Sequence, residues 1–321
     1  MIGIGFGTWS WGNQLLWGYK PGKEDYVLEK TFRKAVEGGL CFIDTADSYG
    51  TGSLNGRSET LLGQFIEKLP PEKIQELNIA TKLAPYPWRI GNKGFQKAFF
   101  ASRDRLKGHI TRVQLHWSTY KYAPWQELPL IDNLANLVEE GYAKEIGLSN
   151  IGPKRLLTIY ERLKAREIPL KSLQVQFSLL SPQLGSTNIF TLHKLCQELN
   201  IEFIAYSPLA LGILALAPNN SQLPEKFLRR RIFRQILPAS KELRKTLKNI
   251  ADEHQVSQAQ VALNWCRSHG AMPIVGIRNS TQASDAIKAL SWELNNREKK
   301  ELDRAKKDCQ ARMPGNPFIS E

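Results

Sequence analysis

The sequence lacks the cysteine and histidine patterns that mark metal sites and disulfide frameworks. Its 321 residues include only four cysteines, which are far apart and form no C-x-x-C pair. None of the five histidines has the spacing of a metal-ligating pair such as H-E-x-x-H. We therefore expect no metal site, and we expect reduced thiols in a reducing compartment, the cytoplasm. The cysteines are Cys41, Cys196, Cys266 and Cys309.

Long apolar runs are also missing. The first five residues, MIGIG, lack the basic region and apolar core of a signal peptide. The most apolar stretch, residues 201–218, contains Glu202 and is interrupted by Pro208 and Gly212. This pattern predicts a strand followed by a loop, so we expect no membrane span and no membrane partner.

Acidic residues are fewer than basic ones. The chain has 44 Lys and Arg against 31 Asp and Glu, a formal net charge of +13. The positive residues are spread along the whole sequence, and no nucleic-acid-binding motif accompanies them. We therefore expect no nucleic-acid partner, and we attribute the charge to solubility and an anionic ligand. The hydrophobic fraction of 42% predicts a packed core.

Short apolar strands alternate with amphipathic helices along the sequence. Eight such repeats predict a (β/α)8 TIM barrel with long loops at the catalytic face, built as a single domain over residues 1–321. A doubly wound open sheet is the alternative. The first strand comes almost at the N-terminus, which predicts a short or missing plug at the barrel floor. The strands are predicted at residues 2–11, 41–43, 77–83, 110–117, 145–148, 172–177, 202–206 and 273–277. The helices are predicted at 25–37, 59–69, 95–107, 128–140, 153–166, 189–199, 241–253, 258–268 and 282–290, with a long loop at 209–238 and a charged helix in the tail.

Ionisable residues stand where several predicted strands end. Asp44 follows the second strand, with Tyr49 just beyond it, and Lys82 and His116 end the third and fourth strands. Taken singly, these residues also fit a turn cap, a half-buried loop aromatic, a lysine reaching solvent and a core histidine. In a parallel barrel, the carboxyl ends of all strands lie at one mouth. The barrel prediction therefore brings the four side chains together.

This set of side chains suits carbonyl reduction. A free tyrosine has a pKa near 10, and a neighbouring ammonium stabilises the tyrosinate. Asp44 is placed to pair with Lys82, and His116 to hydrogen-bond a substrate oxygen beside Tyr49. A phenol that protonates an oxygen as negative charge develops there acts as a general acid.

The sequence resembles the aldo-keto reductases over nearly its whole length. The resemblance implies a TIM barrel that reduces an aldehyde or ketone, with a catalytic tetrad of Asp44, Tyr49, Lys82 and His116 in which Tyr49 is the acid. The matching pieces are Phe42-Ile43-Asp44-Thr45-Ala46 with Tyr49-Gly50, Thr81-Lys82, Leu115-His116, Ile146-Gly147-Leu148-Ser149-Asn150, Gln176, Tyr206-Ser207-Pro208-Leu209 and Gln258-x2-Val261-Ala262-Leu263-x-Trp265.

The resemblance also implies NADPH and NADP+ as the cofactor pair. It assigns Ser149, Asn150 and Gln176 to the carboxamide, Tyr206 to the nicotinamide ring, and Ser207, Leu209 and Gly212 to the pyrophosphate, with Thr8 and Trp9 also at the cofactor. Gly276 and Arg278 match the segment that holds the adenosine phosphate, and Gln282 and Asp285 match positions near the adenine.

One position in the cofactor segments departs from the family pattern. Ala286 stands where the family often has asparagine, so one adenine contact is expected to be lost. No acidic residue of the kind that binds an NAD ribose is evident beside Arg278. The basic residues of segment 225–238 are expected to fold over the cofactor, with a solvated surface run as the alternative reading. These residues are Lys226, Arg229, Arg230, Arg231 and Arg234.

The leading functional hypothesis is an NADPH-dependent reductase of a small-molecule carbonyl compound. The alternative is a nucleotide-binding regulatory subunit of the same fold with little turnover. Trp11, Trp88 and Trp117 are expected to form an aromatic pocket, which suits flat or apolar carbonyls. The identity of the carbonyl and the oligomeric state are left open by the sequence.

Overall fold

Eight short strands follow one another around a closed barrel in the order β1 to β8. The computed structural model describes residues 2–181, 189–317 and 319–320. The predicted barrel is confirmed, and the doubly wound open sheet is excluded. The strands are β1 (Gly5–Gly7), β2 (Phe42–Asp44), β3 (Asn78–Leu83), β4 (Arg112–Leu115), β5 (Glu145–Ser149), β6 (Leu170–Gln176), β7 (Glu202–Tyr206) and β8 (Met272–Gly276).

Helices lie between the strands as the alternation predicts. They are α1 (Gln14–Trp17), α2 (Asp25–Glu37), α3 (Arg57–Ile66), α4 (Pro71–Gln75), α5 (Gln96–Arg105), α6 (Pro124–Glu139), α7 (Pro153–Lys164), α8 (Ile189–Glu198), α9 (Phe227–Ala239), α10 (Lys241–Glu253), α11 (Gln258–Ser268), α12 (Ser280–Lys288) and α13 (Asn296–Asp308). Short 3-10 turns occupy Gly52–Leu54, Gly91–Lys93, Ala210–Ala215 and Ala289–Ser291.

The predicted loop at 209–238 is wrong over much of its length. It contains a 3-10 turn and the thirteen-residue helix α9, whose buried face carries Phe233, Ile236 and Leu237. The basic residues of this segment interrupt the apolar pattern, and Pro238, a residue type that disfavours a helix interior, lies in the last turn. The basic run therefore lies on a helix. The short helices α1 and α4 were also not predicted.

The chain packs as two compact units. The first contains Met1–Leu40, Gln176–Pro182 and Ala205–Gly315. In this unit β1 pairs in parallel with β8, and Gly7 lies opposite Gly276. Helix α2 packs closely on α12, since a Cβ built on Gly38 would lie only 2.2 Å from the Ile287 side chain.

The second unit contains Cys41–Val175, Gln183–Ile204 and Asn316–Glu321. Here β2, β3, β4, β5 and β6 pair in parallel, each with the next. Asp44 lies opposite Ala80, and Lys82 lies opposite Gln114. This register places the ends of β2, β3 and β4 side by side, which positions the residues described below.

A buried arginine lies at the start of the strands in the second unit. Arg112, the first residue of β4, is fully buried and lies over the ring of Phe42, with 5.3 Å between guanidinium and ring centroid. Its Nη2 is 2.7 Å from Glu145 Oε2, and its Nη1 is 2.9 Å from Glu202 Oε2. The second contact is an ion pair by distance without hydrogen-bond geometry. A buried guanidinium with two partly exposed carboxylate partners thus lies at the start of β4.

All four cysteines are free thiols. Cys196, Cys266 and Cys309 are buried, and Cys41 is partly accessible. Burial raises the pKa of the Cys196 thiol to about 12 and also raises the pKa of Cys266. Within the described part of the chain, no helix has the length and apolar character needed to cross a membrane.

Candidate active site

A buried ion pair joins the ends of β2 and β3. Lys82 Nζ lies 2.6 Å from Asp44 Oδ2 and donates a second hydrogen bond to the Thr45 carbonyl at 2.8 Å. The two charged side chains are only 1% and 3% exposed. An ammonium is costly to bury without a partner, so the carboxylate is what permits a charged lysine here.

The charge of Lys82 reflects two opposing effects. Burial lowers the pKa of the ammonium, and the Asp44 carboxylate opposes this by its charge and its hydrogen bond. The net direction is downward. The Asp44 carboxylate therefore helps to keep Lys82 protonated. Without that carboxylate, Lys82 would lose its proton at a lower pH.

Two glutamines donate to the other oxygen of Asp44. Gln174 Nε2 in β6 is 2.8 Å from Asp44 Oδ1, and Gln114 Nε2 in β4 is 3.4 Å from it. These contacts orient the carboxylate toward Lys82. The sequence interpretation did not select either residue. No signal in the sequence distinguishes them, because β4 also contains Arg112 and β6 also contains Lys171, Ser172 and Gln176.

Tyr49 lies between the lysine and the histidine. Lys82 Nζ is 4.9 Å from the centroid of the Tyr49 ring. The rings of Tyr49 and His116 meet edge to face, with centroids 5.8 Å apart. His116 directly follows β4, and its backbone N–H donates to the Leu83 carbonyl. The structure therefore brings together all four residues that the sequence analysis proposed as the catalytic set.

His116 is held in its neutral form. Burial comes first among the causes that hold the pKa of its imidazole well below 6.5, followed by the positive charges of Lys82 and Arg89. Its Nδ1 lies 3.3 Å from Ser48 Oγ, which fixes the ring orientation. Ser48 was not selected from the sequence, because a serine in a turn carries no distinguishing pattern.

An aromatic wall stands beside His116. The Trp117 ring is 4.9 Å from His116, and Tyr86 meets Trp117 edge to face at 5.9 Å. Trp88 stacks on Tyr86 at 4.7 Å and is 72% exposed. Two of the three tryptophans expected to form an aromatic pocket thus lie on one accessible surface near the candidate acid.

The third tryptophan lies elsewhere. Trp11 has no exposed surface, packs on Phe6, and donates its indole N–H to the Ile277 carbonyl at 2.8 Å. This corrects the expectation that Trp11 lines a pocket. The sequence pattern placed it at the end of the first predicted strand, but the ring is buried in the core.

Asn150 lies at the end of β5 with a left-handed backbone, at φ 60°. Its Nδ2 donates to the His116 carbonyl at 3.2 Å, and its backbone N–H donates to the Gln174 carbonyl at 3.0 Å. Asn150 and the neighbouring Ser149 are both buried. A non-glycine residue held in this conformation is a feature that functional sites often show.

The remaining residues proposed for the cofactor lie in the first unit. A Cβ built on Gly7 or on Gly276 would meet no atom within 4 Å, so open space lies over this strand pair. Ser207, Leu211 and Gly212, after β7, have left-handed φ values of 53°, 58° and 98°. Thr8 and Gln176 are buried, Tyr206 is half-buried, and Trp9 is 36% exposed against Trp17.

Arg278 is already engaged on both of its terminal nitrogens. Nη1 donates to the Trp17 carbonyl at 2.9 Å, and Nη2 lies 3.0 and 3.1 Å from the two carboxylate oxygens of Glu24. An acidic residue therefore does lie beside Arg278, which corrects the expectation from sequence. Glu24 was missed because 254 residues separate it from Arg278.

Helix α12 begins directly after Arg278. Asn279 caps it by accepting from the Gln282 backbone N–H, and Gln282 Oε1 accepts from the Arg278 backbone N–H at 2.7 Å. Asp285 Oδ1 accepts from Gln260 Nε2 at 3.1 Å. Ala286 is fully buried, so this position offers no accessible side chain to a ligand.

One arginine of α9 folds inward over α1. The Arg229 guanidinium lies 4.2 Å from the Trp17 ring centroid and donates to the Leu211 carbonyl at 3.1 Å. Burial, and then the charge of Arg278, lower the pKa of Arg229. Arg229 is therefore a packed side chain, whereas Arg231 and Arg234 are exposed.

Comparison with known proteins adds a family match. The model of the aldo/keto reductase family matches residues 3–307. The chain is 46% identical over 318 residues to the chloroplastic pyridoxal reductase of Arabidopsis thaliana, covering 98% of this chain and 86% of that protein. It is 28% identical to probable aldo-keto reductase 1 of Glycine max, covering 86% and 77%. A Klebsiella pneumoniae aldo-keto reductase structure, in complex with NADPH, shares the fold with a TM-score of 0.72 at 22% identity, covering 99% of this chain and 94% of that one.

Proposed function

The chain belongs to the aldo/keto reductase family, and on this premise we propose that it reduces an aldehyde or ketone to an alcohol with NADPH. Tyr49 is the general acid in this proposal. The observation that carries it is the buried Lys82–Asp44 pair, whose ammonium lies 4.9 Å from the Tyr49 ring.

The proposed acid step uses the charge of Lys82. The Tyr49 hydroxyl donates its proton to the carbonyl oxygen as the C=O bond becomes a C–O–H group, and a phenolate is left behind. The nearby ammonium stabilises this phenolate, because opposite charges attract strongly in a partly desolvated site. When bound, the reduced nicotinamide supplies the hydride to the carbonyl carbon. Asp44 keeps Lys82 charged throughout.

Neutral His116 orients the substrate in this proposal. A histidinium beside Lys82 would place two positive charges together, and the low pKa of His116 avoids this. A neutral imidazole is still able to hydrogen-bond the carbonyl oxygen beside Tyr49. His116 therefore positions the oxygen, and Tyr49 supplies the proton.

The first unit supports the choice of a dinucleotide cofactor. The open space over Gly7 and Gly276 admits a ligand close to the backbone. Arg278 and the capped N-terminus of α12 provide a guanidinium and backbone N–H groups, which suit a phosphate.

We assign the adenosine phosphate of NADPH to Arg278, with Gln282 and Asp285 near the adenine. Ser149, Asn150 and Gln176 are assigned to the carboxamide and Tyr206 to the nicotinamide ring. Thr8, Trp9, Ser207, Leu209 and Gly212 are assigned to the rest of the cofactor.

The proposed substrates are flat aromatic aldehydes of the pyridoxal type. Trp88, Tyr86 and Trp117 form an accessible aromatic surface that ends at His116. Such a surface favours planar rings, which stack on it with an offset. The relative from Arabidopsis that shares 46% identity is named a pyridoxal reductase, and we extend that substrate class to this chain.

The test is NADPH consumption by the purified protein with pyridoxal, an unsubstituted aromatic aldehyde, an aliphatic aldehyde and an aldose. We expect the highest kcat/KM with pyridoxal and substantial turnover of the aromatic aldehyde. Preference for the aliphatic aldehyde or the sugar would overturn the substrate class. Tight cofactor binding without turnover of any carbonyl would overturn the reductase proposal and favour a nucleotide-binding regulatory subunit.

A further inference from the structure

The Glu24 carboxylate already pairs with the Arg278 guanidinium, to which the proposed function assigns the ribose phosphate of NADPH. We infer that Glu24 is a cofactor-selectivity residue: it competes with the 2′-phosphate of NADPH for Arg278, and its release accompanies binding of the phosphorylated cofactor. This inference rests on the proposed function. It concerns how strongly the site distinguishes NADPH from NADH.

The competition follows from the donors of one guanidinium. Both oxygens of Glu24 lie within 3.1 Å of Arg278 Nη2, while Nη1 donates to the Trp17 carbonyl. A phosphate dianion that takes the Nη2 donors meets the Glu24 carboxylate at the same atom. Two anions that contact the same nitrogen repel each other, so the Glu24 carboxylate has to leave for the phosphate to bind.

Glu24 is free to leave because it is anchored only lightly. Its side chain is 31% exposed, and that of Arg278 is 25% exposed. Besides Arg278, Glu24 Oε2 accepts one long hydrogen bond of 3.4 Å from the Lys20 backbone. The carboxylate is therefore able to turn into solvent without crossing the core.

The segment around Glu24 has its own support. The Tyr19 hydroxyl donates to Asp25 Oδ1 at 2.5 Å, and the Gly22 backbone N–H donates to Asp25 Oδ2 at 3.2 Å. Tyr19 is buried. Removing the charge of Glu24 therefore leaves the loop before α2 in place, and the effect on cofactor binding reports on Arg278.

NADH responds differently, since its adenosine ribose carries a hydroxyl at this position. A carboxylate is a good acceptor for a ribose hydroxyl, as in dinucleotide sites that select NAD. Glu24 therefore disfavours NADPH and tolerates or favours NADH. The ratio of the NADPH affinity to the NADH affinity therefore depends on the Arg278–Glu24 pair and not on Arg278 alone.

The experiment is a calorimetric titration of NADPH, NADH, adenosine 2′-phosphate and adenosine into wild type, Glu24→Gln, Arg278→Ala and the double variant. Glu24→Gln should bind NADPH and adenosine 2′-phosphate about two- to fivefold more tightly, the range for loss of a partly exposed ion pair. It should bind NADH and adenosine no more tightly. Arg278→Ala should weaken NADPH about ten- to a hundredfold, and in that background Glu24→Gln should have no further effect.

Glu29→Gln is the matched control. Glu29 lies in α2, the helix that follows Glu24, and pairs with Arg33, so the Glu29→Gln protein should bind both cofactors with wild-type affinity. An unchanged NADPH affinity in Glu24→Gln, with Arg278→Ala weakened, overturns the inference and leaves the proposed function standing. Equal gains for NADPH and NADH also overturn it. Absence of binding of both dinucleotides to wild type overturns the proposed function itself.

Discussion

The proposed chemistry depends on one functional group, the Tyr49 hydroxyl. Tyr49→Phe removes it and keeps the ring that meets His116 and lies under Lys82. General acid catalysis contributes about 10²–10⁴-fold, so we expect kcat for carbonyl reduction to fall by that factor. The NADPH dissociation constant should be unchanged. The measurements are steady-state kinetics with the best substrate and a cofactor titration. Retention of more than half of the wild-type kcat would contradict the role of Tyr49.

Asp44 sets the pH range over which Lys82 is charged. Burial already lowers the pKa of Lys82, and the Asp44 carboxylate resists that shift. In Asp44→Asn the opposing charge is gone, so the pKa of Lys82 falls further and the ammonium is lost at lower pH. We expect the alkaline limb of the kcat/KM profile to move down by about 1–3 pH units.

The matched control for Asp44→Asn is Asp132→Asn. Asp132 pairs with Arg162 on the outer surface of the second unit, and its removal should leave the pH profile unchanged. An Asp44→Asn enzyme with the wild-type rate and profile would show that Asp44 serves the fold alone.

Residue-scale prediction from sequence worked where the signal was local. Asp44, Lys82 and His116 were visible because each ends an apolar strand, and the structure brings them to Tyr49. Gln174 and Glu24 were invisible for a different reason. Gln174 meets Asp44 across 130 residues, and that pairing depends on strand register, which one sequence does not specify. The roles assigned to all these residues stay predictions until the variants are measured.

An inward-facing arginine, Arg229, connects helix α9 to the residues that it packs against. Arg229 contributes a cation–π contact with Trp17 and a hydrogen bond to Leu211. A partly buried cation–π contact is worth about 1–2 kcal/mol. In Arg229→Ala we expect local opening of α9 to become about tenfold more frequent, with trypsin cleaving faster after the exposed Arg231 and Arg234.

Gln235→Ala serves as the control for α9, since Gln235 is exposed on the same helix and its removal keeps both cleavage sites. Fragments should be identified by mass spectrometry at low trypsin concentration. Equal cleavage rates for Arg229→Ala and Gln235→Ala would show that Arg229 does not hold the helix down.

At the scale of elements, prediction succeeded where apolar residues recur with one period. Helix α2 was recognised from Leu28, Phe32 and Val36, and its observed bounds match the predicted ones. Helix α9 was missed because its apolar face is interleaved with arginines and ends in Pro238. Helix α6 begins at Pro124, earlier than the predicted residue 128, and Pro124 lies in the first turn, where a proline is favourable.

Arg112 contributes to the stability of the whole barrel. It is buried between Glu145, Glu202 and the Phe42 ring, so truncation leaves a cavity and removes the buried cation that both carboxylates contact. Breaking a buried pair costs about 3–5 kcal/mol, and the partial exposure of the two glutamates places the expected loss for Arg112→Ala at about 3 kcal/mol. Urea unfolding monitored by tryptophan fluorescence measures the loss.

Lys171→Ala provides the comparison for Arg112. Lys171 also contacts Glu202, but its side chain is 42% exposed, so the expected loss is about 0–1 kcal/mol. Similar losses for the two variants would show that burial of Arg112 adds no stability beyond a surface charge pair.

The fold as a whole followed from the sequence because eight strand–helix repeats leave few arrangements with both sheet faces covered. The single-domain organisation and the cytoplasmic location stay predictions. The Arabidopsis relative is named as chloroplastic, a statement about that protein.

The placement of the four thiols determines how the protein responds to alkylating reagents. Cys41 precedes β2, whose three residues end at Asp44, so the thiol lies about 10 Å along the strand from the carboxylate. Burial and the Glu76 charge raise its pKa, while the other three cysteines are inaccessible in the folded chain. A maleimide dye at mildly alkaline pH should therefore attach at one position, the end of the strand remote from the reacting groups. The natural sequence thus offers a single attachment point for a fluorescent reporter.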